Sequence, residues 1–187
     1  MVADVPTPLA ILDAPAAPGL LVPRRERFLA AAADLASALP MITIAVGVAA
    51  AWLLVRTGAG REDARGLDAA IALAVVGAVP PAWLARLALG LLDQHATPGQ
   101  HARGLRVEAT RTRAVLVRLA LHPFGAVGWA WLAGIAALAQ SMALAGVLGA
   151  VAALVLVAGG VSLAMILVAP GAPTLHDRLA GTRLVRA

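Results

Sequence analysis

From about Phe28 onward the chain is built of long apolar runs separated by short polar stretches. The first run extends from about Phe28 to Val55, the second from about Ala69 to Leu92, and from Ala114 to Ala169 the chain is apolar almost throughout. A helix rises about 1.5 Å per residue, so about 20 residues cross the hydrocarbon core of a bilayer. The first two runs each predict one span. The third is too long for a single helix, and the polar pair Gln140 and Ser141 marks a tight turn within it. Two spans follow, at about 121–139 and 145–168, with residues 114–120 as an interfacial lead-in. The predicted fold is therefore all-α, an integral membrane bundle of four transmembrane helices with spans at about 28–55, 69–92, 121–139 and 145–168.

Proline punctuates this pattern. Residues 1–23 hold five prolines, too many for a continuous helix, and are expected to form a poorly ordered cytoplasmic tail ahead of a membrane domain over 24–187. That tail lacks the basic start and unbroken apolar core of a secretory signal, so the first span is expected to serve as the internal insertion signal. Pro40 predicts a kink in the first span. Pro80 and Pro81 remove backbone donors within the second, which a membrane helix tolerates when neighbouring helices or side chains bond the freed carbonyls.

Composition agrees with the pattern: 61% of the 187 residues are hydrophobic and 13% charged, with a mean hydropathy of +0.87. A soluble domain carries about 25% charged residues. The formal charge is +5, and all 15 basic residues are arginine. Nothing interleaves them with aromatics into a nucleic-acid groove, and no nucleic-acid partner is expected. They cluster instead at the ends of apolar runs. The positive-inside bias then favours both termini in the cytoplasm, which places eleven arginines inside, three outside and Arg86 within the membrane. Cysteine is absent, and His95, His101 and His122 do not fall at metal-ligand spacing. No metal site or cofactor is expected. Ser37, Ser141 and Ser162 have no histidine nearby in sequence to act as a base, so the sequence points away from an enzyme.

Asp34 is the exceptional residue of the first run. An aspartate inside a span is costly in lipid, so it should face the bundle interior with a partner or carry a proton. Arg27, seven residues earlier, shares its helical face and reads as an interfacial anchor. Arg86 lies at nearly the same depth if the second span runs back toward the cytoplasm, and it is the expected ion-pair partner. A structural pair that fixes helix packing outweighs a proton or cation site in this reading. Asp177, after the last span, is expected to cap a short helix over "DRLAGT" that stops at Gly181, or to pair with an arginine of the central loop, ahead of binding a ligand. In that loop, "TPGQHARG" offers Gly99 and Gly104, with Arg103 and Arg106 nearby, as a cradle for an anion or an anionic lipid headgroup. A turn followed by an amphipathic element on the inner leaflet is the default there.

Three stretches together resemble the RDD family of small bacterial membrane proteins. "RRERFLAAAAD" puts an arginine at the mouth of the first span and an aspartate inside it. "TPGQHARGLRV" is similar to the family's T-x-G-K-x-x-x-G-x-x-V pattern, and "LHDRLAGT" follows the last span. By this resemblance the signature residues fall on Arg27, Asp34 and Asp177, whereas the family's lysine after the loop glycine is Gln100 here. The resemblance implies a role in transport, in some members cation/proton antiport. Two readings follow: a cation or proton transport protein with Asp34 as ionisable centre, or an accessory subunit whose small-residue faces, Gly146, Gly149, Gly159 and Gly160, dock in a homo-oligomer or a larger membrane complex.

Overall fold

The computed structural model describes residues 22–60, 63, 65–109, 111–169 and 172–187, so the proline-rich tail lies outside the described residues up to position 21. Helix α1 (Arg24–Ala36) and α2 (Leu39–Arg56) form one apolar stretch with a break at residues 37–38, just ahead of Pro40 in the first turn of α2. Helix α3 (Gly66–Gly77) and α4 (Val79–Gln94) are separated at Ala78, ahead of Pro80 and Pro81. The polar loop between α2 and α3 closes with an ion pair, Arg56 Nε to Asp68 at 2.9 Å.

After α4 comes a single-turn helix, α5 (Pro98–His101), and strand β1 (Leu105–Ala109). Helix α6 (Thr112–Leu121) and α7 (Pro123–Leu138) meet at His122 with a bend of 73°. Proline at 123 favours this corner, because the residue before a proline is pushed out of the helical region; His122 sits at ψ 150°. Gln140, at φ 59°, turns the chain into α8 (Met142–Val168), which packs back along α7 as a helical hairpin. Helix α9 (Leu175–Ala180) ends at Gly181 in the left-handed region, φ 66°, and strand β2 (Thr182–Arg186) closes the chain.

Among the described residues, three helical stretches are long and apolar enough to cross a membrane: Arg24–Arg56, Gly66–Gln94 and Met142–Val168. The number rises to four if the bent pair α6–α7 counts as one. Their outward faces present large apolar side chains, among them Ile44 at 67% exposure and Leu154 at 68%. Faces this apolar belong against lipid.

A two-stranded sheet departs from the all-α expectation. Strands β1 and β2 pair antiparallel, from Leu105 opposite Arg186 to Ala109 opposite Thr182. The segment expected to lie on the leaflet as an amphipathic element is thus α5 followed by a strand. Leu105, Val107 and Leu184 on the sheet pack with Val22, Ala30, Leu91 and Val115. The sheet thereby ties the C-terminal segment to the central loop at one end of the bundle. A second cluster, Ala38, Trp83 and Leu87, lies beside the α1–α2 break.

Candidate functional site

A cavity of about 390 Å³ lies where α1, α5, α6, α8 and α9 converge, and its walls include Arg27, Asp34 and Asp177. Each is held by a different local device.

Asp34 sits in the last turn of α1, 2% exposed, facing inward. Its Oδ1 accepts from the Gly99 backbone N–H at 2.7 Å, and its Oδ2 accepts a short hydrogen bond from the Thr97 hydroxyl. Thr97 is the N-cap of α5, in a capping box with Gln100: the Gln100 N–H donates to Thr97 Oγ1, and the Thr97 N–H donates to Gln100 Oε1. Gln100, where the family pattern has lysine, is therefore a capping residue. Glycine at 99 is required by the close approach, since a Cβ there would lie 2.2 Å from the Ala30 carbonyl oxygen and 2.9 Å from Asp34 Cγ. The Asp34 main-chain carbonyl, at the α1–α2 break, accepts from the Ser37 N–H at 3.2 Å, from Ser37 Oγ at 2.6 Å and from Trp83 Nε1 at 3.1 Å.

Arg86 makes no direct ion pair with Asp34 and acts on it only through its field. It lies on the exposed face of α4, away from the inward row Trp83, Leu87 and Leu91. The depth argument placed the two at one level but could not fix the rotation of α4 about its axis. The loop's backbone also has another use than an anion cradle, because the Gly99 N–H already serves Asp34. Gly104, at φ 60°, turns the chain into β1, while Arg103 pairs with Glu26 at 3.8 Å and Arg106 with Glu108 at 3.5 Å.

Asp177 is 1% exposed and occupies the N3 position of α9, with Thr174 as N-cap in a second capping box. Its Oδ2 accepts from Thr174 Oγ1 at 2.7 Å and from the Thr174 N–H at 3.3 Å; its Oδ1 accepts from Arg118 Nε at 2.6 Å and Thr182 Oγ1 at 3.3 Å. The expected cap is thus Thr174, three residues earlier, and the expected arginine partner is Arg118 of α6. Burial pushes the Asp177 carboxyl up, but the Arg118 charge and the hydrogen bonds from Thr174 and Arg118 prevail and hold it well below the usual carboxylate range.

His176 bridges Ser162 of α8, 3.1 Å from its Nδ1, and Thr174 Oγ1, 3.0 Å from its Nε2. A carboxylate only accepts, so the Thr174 hydroxyl proton goes to Asp177 and Thr174 accepts from His176 Nε2–H; Nδ1 then accepts from Ser162. That tautomer is neutral. Burial pushes the imidazole down and Asp177 opposes it, while Arg118 and Arg27 add to the fall, bringing the pKa to about 4.

Arg27, expected as an interfacial anchor, is buried within the protein, 9% exposed. Its Nη1 donates to the Ala172 carbonyl at 3.1 Å, and its Nε is buried without a hydrogen-bond partner. Arg118, Thr97, Thr174 and His176 carry as much of the site as the residues singled out from sequence. The two T-x-x-[D/Q] capping boxes, "TPGQ" and "TLHD", are the local signal that marks both threonines.

The fold and site define a small, mostly helical membrane protein with a buried polar cluster at one end of an apolar bundle. The chain belongs to the RDD family, whose model matches residues 21–181. No curated protein and no solved structure was found to match it.

Proposed function

We propose that the protein takes part in moving protons or small cations across a bacterial inner membrane, as a four-span bundle with both termini in the cytoplasm and Asp34 as the group that carries the proton. One observation supports this most: the Asp34 carboxylate lines the cavity and is also what fastens α5 to α1, through Thr97 and Gly99. A proton arriving from the cavity removes the negative charge that holds both donors, because hydrogen bonds to an ionised acceptor are about twice as strong as neutral ones. Proton uptake would thus loosen the central loop, coupling occupancy to shape. The test is flux by the purified protein in liposomes loaded with a pH-sensitive dye. Proton movement that Asp34→Asn abolishes, while the protein still folds and inserts, is the expected result; equal movement in wild type and Asp34→Asn rules the reading out.

A second reading, an accessory subunit or homo-oligomer in the bilayer, is favoured by the glycines of the hairpin. Gly134, Gly146, Gly149 and Gly160 have nothing within 4 Å of where a Cβ would stand, leaving space for another helix, whereas Gly159 is filled by Pro123. Bulky residues at the open positions should then abolish assembly without unfolding the monomer, as read by detergent-corrected mass.

A further inference from the structure

The charges of the cavity are unevenly satisfied. Both carboxylates have their oxygens occupied, Asp34 by Thr97 and Gly99, and Asp177 by Arg118, Thr174 and Thr182. The guanidiniums do not. Among the described residues Arg118 bonds only through Nε, and Arg27 only through Nη1, to a carbonyl, with Nε buried and unpartnered. Among the described residues no carboxylate lies at ion-pair distance from Arg27, although Asp177 acts on it electrostatically. A guanidinium presents five donors and no acceptor, in a fork that matches the two oxygens of a carboxylate or phosphate. The acceptor that would complete this cluster is an anion from outside the chain.

The rest of the lining indicates what such an anion is attached to. Phe28, Leu119, Phe124, Leu156, Leu163 and Ile166 form the apolar wall. Phe28 and Leu163 are each 43% exposed and Leu156 57%, and they lie on α1 and α8, the stretches that face lipid. The mouth therefore opens sideways to the bilayer, while Arg27 and Arg118 lie within. At about 390 Å³ the space falls in the range of small-molecule sites, about 300–1,000 Å³.

We propose that this cavity binds a membrane amphiphile with an oxyanion headgroup, a carboxylate or phosphate seated on Arg27 with Arg118 beside it, and its chain laid along α1 and α8. The inference goes beyond the transport reading and stands whether or not protons move, since its test reads binding and not flux.

The probe is oleate, added to the full chain in zwitterionic detergent and scored by native mass spectrometry for retained ligand. Acetate and inorganic phosphate serve as chainless competitors. Wild type should retain one oleate, and Arg27→Gln should weaken retention about tenfold or more, the scale of a lost charge-assisted contact. Ile166→Trp keeps Arg27 and fills the apolar wall, so it should weaken oleate retention even if Arg27→Gln fails to fold. Equal retention by wild type and Ile166→Trp, or no saturable retention by wild type, overturns the site. Displacement by acetate or phosphate at concentrations equal to oleate overturns the amphiphile and assigns the arginines to a soluble anion.

Discussion

Arg118 and Asp177, 59 residues apart in the chain, meet through a 2.6 Å hydrogen bond in which both side chains are at most 5% exposed. The pair joins α6 to α9 and holds the C-terminal segment over the cavity. Removing one partner leaves the other charged and buried, which costs about 3–5 kcal/mol. Asp177→Asn is therefore expected to lower stability by that order, measured as loss of folded protein in a detergent melt. Arg118→Met combined with Asp177→Asn should cost clearly less than the two single changes added together. Additive effects would mean that the ion pair does not couple the two helices.

The neutral His176 makes stability depend on pH in a defined direction. Its folded pKa of about 4 lies below the ordinary value of 6.5, so the unfolded chain binds the proton more readily. Stability is then full above about pH 6.5 and falls as pH drops toward 4, by at most about 3 kcal/mol at 1.36 kcal/mol per unit. His176→Gln removes the titration and should flatten the melting temperature over this window. An unchanged slope in that variant would locate the pH dependence elsewhere.

The sequence was legible where one residue type has one physical outcome. Apolar runs read as long helices, Gln140 as a turn and Gly181 as a helix stop, because backbone bonding in an apolar run, hairpin closure and positive φ each leave few alternatives. What stayed hidden depended on rotation and long-range meeting. Arg86 lies on the exposed face of α4 and reaches Asp34 only through its field, and Arg118 reads as one more arginine near the end of an apolar run until α9 folds beneath it. The sheet was missed for another reason. Leu105 and Val107 alternate with Arg106 and Glu108, but five residues are too few to separate a strand from one face of an interfacial helix.

Gly99 makes a sharp test of how α5 is seated on α1. A methyl group at this position would stand 2.2 Å from the Ala30 carbonyl oxygen and 2.9 Å from the Asp34 backbone nitrogen, so Gly99→Ala cannot be absorbed by a side-chain shift. A cost of about 1–3 kcal/mol or more is expected from overpacking, together with loss of the Asp34 contacts. Gly146→Ala, where nothing lies within 4 Å, is the matched control and should be neutral or slightly stabilising in the monomer. If both variants melt alike, α5 is not clamped against α1.

Pro81 has no N–H to offer the Gly77 carbonyl four residues earlier, and Trp131 of α7 supplies the missing donor, its Nε1 lying 2.6 Å from that oxygen. The prolines between α3 and α4 are thus compatible with a span because a neighbouring helix bonds what they leave open. Trp131→Phe keeps an aromatic ring and removes the donor together with part of the indole's bulk, so a second substitution is needed to separate the two losses. Interhelical hydrogen bonds in membranes average about 0.6 kcal/mol and reach about 1.7, so a loss of that order is expected in a detergent melt. Adding Pro81→Ala restores a backbone donor facing Gly77 and should recover most of the loss, because the backbone stays helical through the junction, with Ala82 N–H already bonded to the Ala78 carbonyl at 3.1 Å. A Trp131→Phe defect that Pro81→Ala leaves untouched would mean the indole contributes through packing and not through the Gly77 carbonyl.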